Sequence, residues 1–186
     1  MSKANKIELL MLDLINQERK EAGLDRLKLE KDLNEAADDH SSWMLKVDQL
    51  THTGKNGSSA GDRMEDAGFD FTGSWSWGEN VAYQTERGKL TVKDDVRDLH
   101  EALMQSPGHR ANILSDDFEF VGIGIKVGDF NGRESVIVTQ NFGKTDASVN
   151  LDPGGQKNGA ALAKQAEPDD MWDPTMLTLP QDDFLM

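Results

Sequence analysis

The amino-acid sequence predicts an α+β domain with an acidic extension, and three observations lead to that fold class. Apolar residues over positions 7–47 recur with the period of about 3.6 residues that marks helices. Those over positions 121–142 alternate with the period of two that marks strands. The chain has 186 residues, of which 37% are hydrophobic and 29% charged, and this fits one ordinary domain plus additional length.

Two helices are predicted at the start of the chain, each from one apolar stripe. The first stripe precedes Gly23, which should end the helix, and consists of Ile7, Leu10, Met11, Leu14 and Ile15. After the extended piece 24–29, the second stripe consists of Leu33, Ala36, Ala37, His40, Met44 and Val47. Because His40 lies on this stripe, we expect a buried imidazole that is hydrogen-bonded within the core.

The next region is predicted to contain two loops around one short helix. Ser58 or Ser59 should cap this helix, and Gly68 should end it. The segment 73–82 is rich in glycine and aromatic residues and is predicted to be a loop. Glu79 lies in that segment, so we expect its carboxylate on a loop.

A longer helix is predicted to follow, with a histidine just beyond its end. The segment 91–94 resembles a capping box, and the helix that it starts should end at Pro107-Gly108. His100 should be partly exposed on this helix. His109 directly follows the Pro-Gly pair, so we expect it in a turn.

The last predicted elements are an antiparallel hairpin and a tail. The strands are expected at 121–127 and 135–142, with a turn between them. Glycines interrupt the branched residues of the first strand, which indicates that another element packs closely there. From residue 147 the pattern stops and the chain is acidic, so we divide it into a domain over 1–146 and a partly disordered or loosely docked tail over 147–186.

Charge and composition exclude several functions and partners. The net charge of −14 disfavours nucleic acid and anionic membranes as partners, because both would be repelled. The absence of cysteine excludes disulfides and thiolate metal sites. No stretch has the length and apolarity of a membrane span, and the N-terminal residues lack the apolar run of a secretory signal. We expect a monomer whose partner is a small ligand or another protein.

Two histidines and one carboxylate are the candidate site. His52 and His109 are the histidines predicted outside helices, and Glu79 is the acid predicted on a loop. Neutral imidazoles and a carboxylate are the usual ligands of a zinc or similar divalent site with one open position. Their long separation along the chain forms no local metal signature, so the alternative is three polar residues on separate loops.

A hydrolase is the competing interpretation of the same residues. In a serine version, Ser106 is the nucleophile, His109 the base and Glu79 the orienting acid. In a metal-assisted version, Glu79 is the base. Ser106 lacks the context of a nucleophile elbow, which favours a role for it at the end of a helix.

Several motifs in unbroken order resemble one known family. They are Leu14-Ile15-Asn16-Gln17-Glu18-Arg19, His40-Ser41, His52-Thr53-Gly54, Arg63, Gly78-Glu79-Asn80-Val81-Ala82, Ser106-Pro107-Gly108-His109-Arg110-Ala111-Asn112-Ile113-Leu114 and Thr139-Gln140-Asn141-Phe142-Gly143. Together they resemble the CAP superfamily of cysteine-rich secretory proteins, insect venom antigens and plant pathogenesis-related proteins, in its short bacterial SCP-like form. The resemblance covers about residues 7–143.

The resemblance implies an α-β-α sandwich, in which a small antiparallel sheet lies between helices beside a shallow cleft. It implies that His52 and His109 are the paired cleft histidines, with Glu79 and the adjacent Asn80 in the same cleft. It also implies a binding or signalling module rather than an enzyme, with a divalent cation or a small polar or lipid-like ligand.

The sequence departs from the family pattern in the cleft and in its export signals. The position of a second cleft glutamate is held by Ser106, and Leu103 stands at the tryptophan that usually precedes it. The disulfides of eukaryotic members are absent. Because the resemblance implies an extracellular protein, the acidic and apolar residues 180–186 are a candidate C-terminal signal for type I secretion; an ordinary acidic end is the alternative.

Overall fold

The computed structural model describes residues 3–86 and 91–157, which form six helices, one 3₁₀ turn and four strands. The helices are α1 (Lys6–Glu21), α2 (Lys31–Val47), α3 (Ala60–Ala67), α4 (Val92–Gln105), α5 (Pro107–Ile113) and α6 (Pro153–Lys157). The strands are β1 (Lys28–Leu29), β2 (Ser76–Thr85), β3 (Phe120–Phe130) and β4 (Arg133–Lys144).

The strands form one sheet in the order β1-β3-β4-β2. The predicted hairpin is confirmed as β3 and β4, which turn at Asn131 and Gly132, both with positive φ. β2 pairs antiparallel to β4 and is an outer strand of the sheet. The two-residue strand β1 pairs parallel to β3, so the sheet is antiparallel apart from this short edge.

Helices cover both faces of the sheet, which confirms the predicted α-β-α sandwich. Alternate strand residues point to opposite faces. On one face they form the largest apolar cluster with α1 and α4, including Ile15, Leu99 and Ile123. On the other face α2 and α3 supply residues to two smaller clusters, one around Leu33 and one around Met44. The sheet is therefore buried between two helical layers.

The glycines of β3 allow α2 to lie directly against the sheet. A Cβ atom at Gly122 would overlap the backbone carbonyl carbon of Leu33, and one at Gly124 would overlap that of Ala37. The hydroxyl of Ser41 donates to the carbonyl of Gly124 at 2.9 Å. The close approach predicted from the glycines is thus confirmed, and the element that approaches is α2.

Most predicted helix ends are confirmed by their capping contacts. Ser59 caps the start of α3, and the residue that caps its end, Gly68, has a φ of +111°. At the start of α4, the Asp94 carboxylate accepts from the backbone N–H of Thr91 at 2.9 Å. The stripe of α2 is buried except for the partly exposed Val47 at its end, and His40 is 1% exposed. These ends and faces follow from local sequence.

Three predicted positions are wrong. Glu79 lies on β2 rather than on a loop, because residues 76–85 pair with β4 along their whole length. His109 lies in the first helical turn of α5 rather than in a loop between elements. Pro107 ends α4 and is itself the first residue of α5. His100 is buried at 5% exposure, and this burial lowers its pKa to about 4.

The described beginning of the tail, residues 147–157, contacts the domain. Asn150 donates its backbone N–H to the Glu30 carboxylate at 3.0 Å, and Asp152 donates its own to the carbonyl of Leu29 at 2.9 Å. The candidate secretion signal at 180–186 lies outside the described residues. No helix within the described residues is both long and apolar enough to cross a bilayer.

Candidate functional site

The Glu79 carboxylate contacts both His52 and Arg63, and we call these three residues the charged cluster. Glu79 projects from β2 toward α2 and α3, and its side chain is 2% exposed. Oε1 lies 2.9 Å from Nδ1 of His52, and Oε2 accepts from Nη2 of Arg63 at 2.5 Å. A buried carboxylate needs a counter-charge and hydrogen bonds, and this one has both.

Arg63 also fixes the loop that carries His52. Its Nη1 donates to the carbonyl oxygens of His52 at 3.1 Å and Ser58 at 3.0 Å. Within the loop, the backbone N–H of Gly54 donates to the carbonyl of Ser58 at 2.8 Å. One guanidinium on α3 therefore holds the loop in place and compensates the charge of Glu79.

His52 is the part of the charged cluster that reaches solvent. Its side chain is 48% exposed, whereas that of Glu79 is almost fully buried. Because Nδ1 faces the carboxylate, the nitrogen directed to a ligand is Nε2. In metal sites and in general bases, a carboxylate on one ring nitrogen orients the imidazole in the same way. The arrangement makes His52 the contacting group and Glu79 the positioning group.

The next residue on β2, Asn80, takes part in a separate buried network, which we call the amide network. Its Nδ2 donates to the carbonyl of His109 at 3.1 Å and to Oε1 of Gln140 at 3.0 Å. The amide nitrogen of Asn112 donates to Oδ1 of Asn80 at 2.8 Å and to the carbonyl of Glu79 at 3.2 Å. These bonds attach α5 to the outer strand.

The predicted histidine pair is not gathered with Glu79 into a metal site. His109 is buried at 7% exposure and is joined to β2 through its carbonyl oxygen. Over residues 3–86 and 91–157, no three His, Asp or Glu side chains lie close enough together to hold a metal ion. A catalytic zinc site needs three protein ligands, and Arg63 adds a positive charge beside Glu79. The arranged donors do not fit such a site.

Ser106 lies between α4 and α5 and serves as an end residue for both. Its backbone N–H donates to the carbonyls of Ala102 and Leu103, each at 3.2 Å. In the serine hydrolase interpretation Glu79 has to orient His109, but its two oxygens face His52 and Arg63. The Glu79 carboxylate therefore binds His52 and Arg63 rather than His109, as that triad would require.

Arg63 and Asn112 belong to the sequence motifs that resemble the family, but the sequence assigned neither of them a role in the site. Arg63 shares its predicted helix with apolar residues, and an arginine beside a buried face is a signal for a buried acid. Asn112 belongs to the same short motif as His109, but its contacts depend on the packing of α5 on β2. No pattern within one segment reveals that pairing.

Comparison with known proteins gives a family match over most of the chain. The model of the cysteine-rich secretory protein family, CAP, matches residues 12–142. A Bacillus subtilis protein described as the uncharacterized membrane protein YlbC is 31% identical over 135 residues, which are 73% of this chain and 34% of that protein. The uncharacterized protein YkwD of Bacillus subtilis is 30% identical over 123 residues, 66% of this chain and 44% of its own length.

Two solved structures with the same fold are bacterial proteins. An extracellular protein containing an SCP domain from Bacillus anthracis is 26% identical with a TM-score of 0.58, over 73% of this chain and 39% of that one. An outer surface protein from Borrelia burgdorferi is 19% identical with a TM-score of 0.58, over 78% of this chain and 98% of that one. The chain thus spans less than half the length of both Bacillus subtilis relatives and of the Bacillus anthracis protein.

Proposed function

The chain belongs to the cysteine-rich secretory protein (CAP) family, in its bacterial form, and from that premise we propose that it is an extracellular binding domain. In this proposal the imidazole of His52 contacts a small ligand, while Glu79 and Arg63 hold the imidazole in place. The similar protein of Bacillus anthracis is described as extracellular, which supports a location outside the cytoplasm.

The observation that carries the proposal is the half-exposed imidazole above a buried carboxylate. A buried acid that serves only stability gains little from a partner with a 48% exposed side chain, since solvent screens such a contact. An imidazole that must meet a ligand in one orientation needs a fixed partner on its other nitrogen. The His52–Glu79 pair meets the second requirement.

The ligand in this proposal is a group that binds one imidazole nitrogen, either a divalent cation or a small polar molecule. For a cation, Nε2 of His52 is the first protein ligand and His109 the second candidate, with water in the other positions. Glu79 is then the orienting group rather than a ligand. Such a site is weak, because only one or two protein ligands contribute to it.

Calorimetric titration with zinc chloride tests the cation. We expect a saturable heat in the wild type and in Thr53→Ala, a control in the same exposed loop, and its loss in His52→Ala. Glu79→Gln should weaken zinc binding by about tenfold to a hundredfold, as expected for an orienting residue. Equal heats in the wild type and in the double variant His52→Ala/His109→Ala reject the cation.

The hydrolase alternative is supported by the same pair, because a carboxylate on one nitrogen also orients a general base. Assays with peptide and ester substrates, run with and without a chelator, distinguish a hydrolase from a binding domain. Chelator-insensitive turnover that is lost in Ser106→Ala supports the serine version, and turnover lost with chelator supports the metal version. If His52→Ala/His109→Ala loses thermal stability while the wild type binds and turns over nothing, the histidines only tie elements together.

A further inference from the structure

A second cleft lies between α2 and α3, and we call it the α2–α3 groove. It has a volume of about 360 Å³, which is within the range of small-molecule sites. The residues that matter for its chemistry are Glu35, Asp39, His40, Trp43, Arg63 and Asp66. Arg63 is the residue that the groove shares with the charged cluster.

His40 contributes a buried hydrogen-bond acceptor to the groove. Its Nε2 lies 2.8 Å from the carbonyl oxygen of Thr51, and because a carbonyl only accepts, Nε2 carries the proton. Nδ1 is therefore an acceptor, and it has no partner within the described residues although His40 is 1% exposed. Burial also lowers the pKa of His40, which keeps this nitrogen unprotonated near neutral pH.

Arg63 contributes a buried donor to the same groove. Its two terminal nitrogens bind Glu79, His52 and Ser58, but its Nε–H is buried and has no partner in the part of the chain that the structure describes. A buried polar group without a partner is unfavourable, because it has lost its hydrogen bonds to water without replacing them. A hydroxyl group can accept from a guanidinium N–H and donate to an imidazole nitrogen at once.

The charges around the groove favour a neutral ligand. Its rim carries the carboxylates of Glu35, Asp39 and Asp66, which repel anions. Lys55 and Arg63 also line the groove, and their positive charges repel a cationic ligand. Carboxylates are also strong acceptors for hydroxyl groups, so the rim suits a molecule with several of them.

Trp43 adds an apolar surface beside these polar groups. Its ring stacks on His40, with ring centres 5.6 Å apart and 14° between the planes. A saccharide ring combines an apolar C–H face with hydroxyl groups at its edge. The combination of an indole, carboxylates, an unpaired donor and an unpaired acceptor matches both parts of that chemistry.

We propose that the α2–α3 groove binds a neutral saccharide, whose hydroxyl groups accept from Nε–H of Arg63 and donate to Nδ1 of His40. This goes beyond the proposed function, because the ligand contacts α2 and α3 rather than the Nε2 of His52. Loss of zinc binding in His52→Ala therefore leaves saccharide binding unchanged.

Nuclear magnetic resonance on the full chain tests the proposal with triacetylchitotriose, cellotriose and maltotriose as probes. We expect one of them to shift the indole N–H of Trp43 and the ring nitrogen Nδ1 of His40 in a saturable way. Trp43→Leu and Asp39→Leu should each weaken this binding by about tenfold or more. Trp75→Leu, which changes an exposed tryptophan outside the groove, is the matched control and should bind like the wild type.

Three results overturn the proposal. The first is the absence of a saturable shift with all three saccharides, which leaves water as the occupant of the groove. The second is unchanged affinity in folded Trp43→Leu and Asp39→Leu. The third is a tighter complex with the cation spermidine than with any saccharide. Because Trp43 and Asp39 are not fully buried, thermal unfolding can verify that these variants fold.

Discussion

Glu79 and Asn80 are neighbours on β2, yet their side chains enter two different environments. Glu79 joins the charged cluster, which ends in solvent at the half-exposed His52. Asn80 joins the amide network, whose members are neutral and which binds the backbone of α5. A strand that directs adjacent side chains to opposite faces produces this division.

The difference separates an assembly role, at Asn80, from a binding role, at His52. The bonds of Asn80 end on His109 and Gln140, which are buried, and on the half-buried Asn112, so their energy contributes to holding α5 on the sheet. In the charged cluster, a buried ion pair holds an exposed imidazole in place. Such an arrangement contributes little to the stability of the fold. We therefore place recognition at His52 and assembly at Asn80.

The largest expected effect is that of Arg63→Met. It removes the counter-charge of a carboxylate whose side chain is 2% exposed, so unfolding should require about 3 kcal/mol less free energy. Urea denaturation measures this change. Arg97→Met removes an exposed ion pair and should cost less than about 0.5 kcal/mol. A cost for Arg63→Met no larger than for Arg97→Met would mean that solvent already screens Glu79.

Asn80→Ala should have the next largest effect, about 2 kcal/mol, because it leaves the His109 carbonyl and the Asn112 amide without their buried partner. The measurement is again urea denaturation, with Gln105→Ala as the control for an exposed amide. If zinc binding is lost in folded Asn80→Ala while stability is unchanged, the assignment of assembly to Asn80 is wrong.

A third test uses Glu8, a buried carboxylate that binds Asn5 rather than a guanidinium. Burial raises its pKa to about 7 from 4.5, so the folded state holds this proton to higher pH than the unfolded state. Its contribution to stability is therefore present at low pH and is lost as pH rises through about 7.

Glu8→Gln should remove this dependence, which we expect to be on the order of 1–2 kcal/mol between about pH 5 and pH 8. Urea denaturation across that pH range measures it in the variant and the wild type. Identical pH dependence in both proteins would contradict the raised pKa. A weaker pH dependence of stability in Glu8→Gln would show that burial raises the pKa of a carboxylate that has no arginine beside it, unlike Glu79, which has Arg63.

His52→Ala should have the smallest effect on stability, less than about 1 kcal/mol, because its side chain is half exposed. Thermal unfolding measures the change, and zinc titration measures the loss of binding in the same sample. If His52→Ala lost as much stability as Asn80→Ala, the assignment of recognition to His52 and of assembly to Asn80 would be wrong.

Much of the fold could be predicted from local sequence. The stripes of α1 and α2, the cap at Ser59 and the hairpin strands all depend on residues a few positions apart. The sequence does not predict the strand β2 because the glycine and serine residues before Glu79 are typical of turns and loops. Its extended form depends on pairing with β4, which lies about 60 residues later.

The site could be predicted only in part, for the same reason. His52 and Glu79 were expected together and are in contact, while the metal and the ligand stay predictions. The contact of Arg63 with Glu79 depends on how α3 packs against β2, and burial of His100 depends on the packing of α4. Such contacts arise from tertiary structure, which a single segment does not encode.

A hydrogen bond between residues near the two ends of the described chain affects how the protein can be joined to other polypeptides. The backbone N–H of Ala4 donates to Oδ2 of Asp152 at 3.0 Å. A domain with adjacent ends can be inserted into a surface loop of a host protein, or circularly permuted, without separating its layers. Polypeptides joined before residue 4 and after α6, which contacts α1, would therefore start close together, so a biosensor could read both through a single junction.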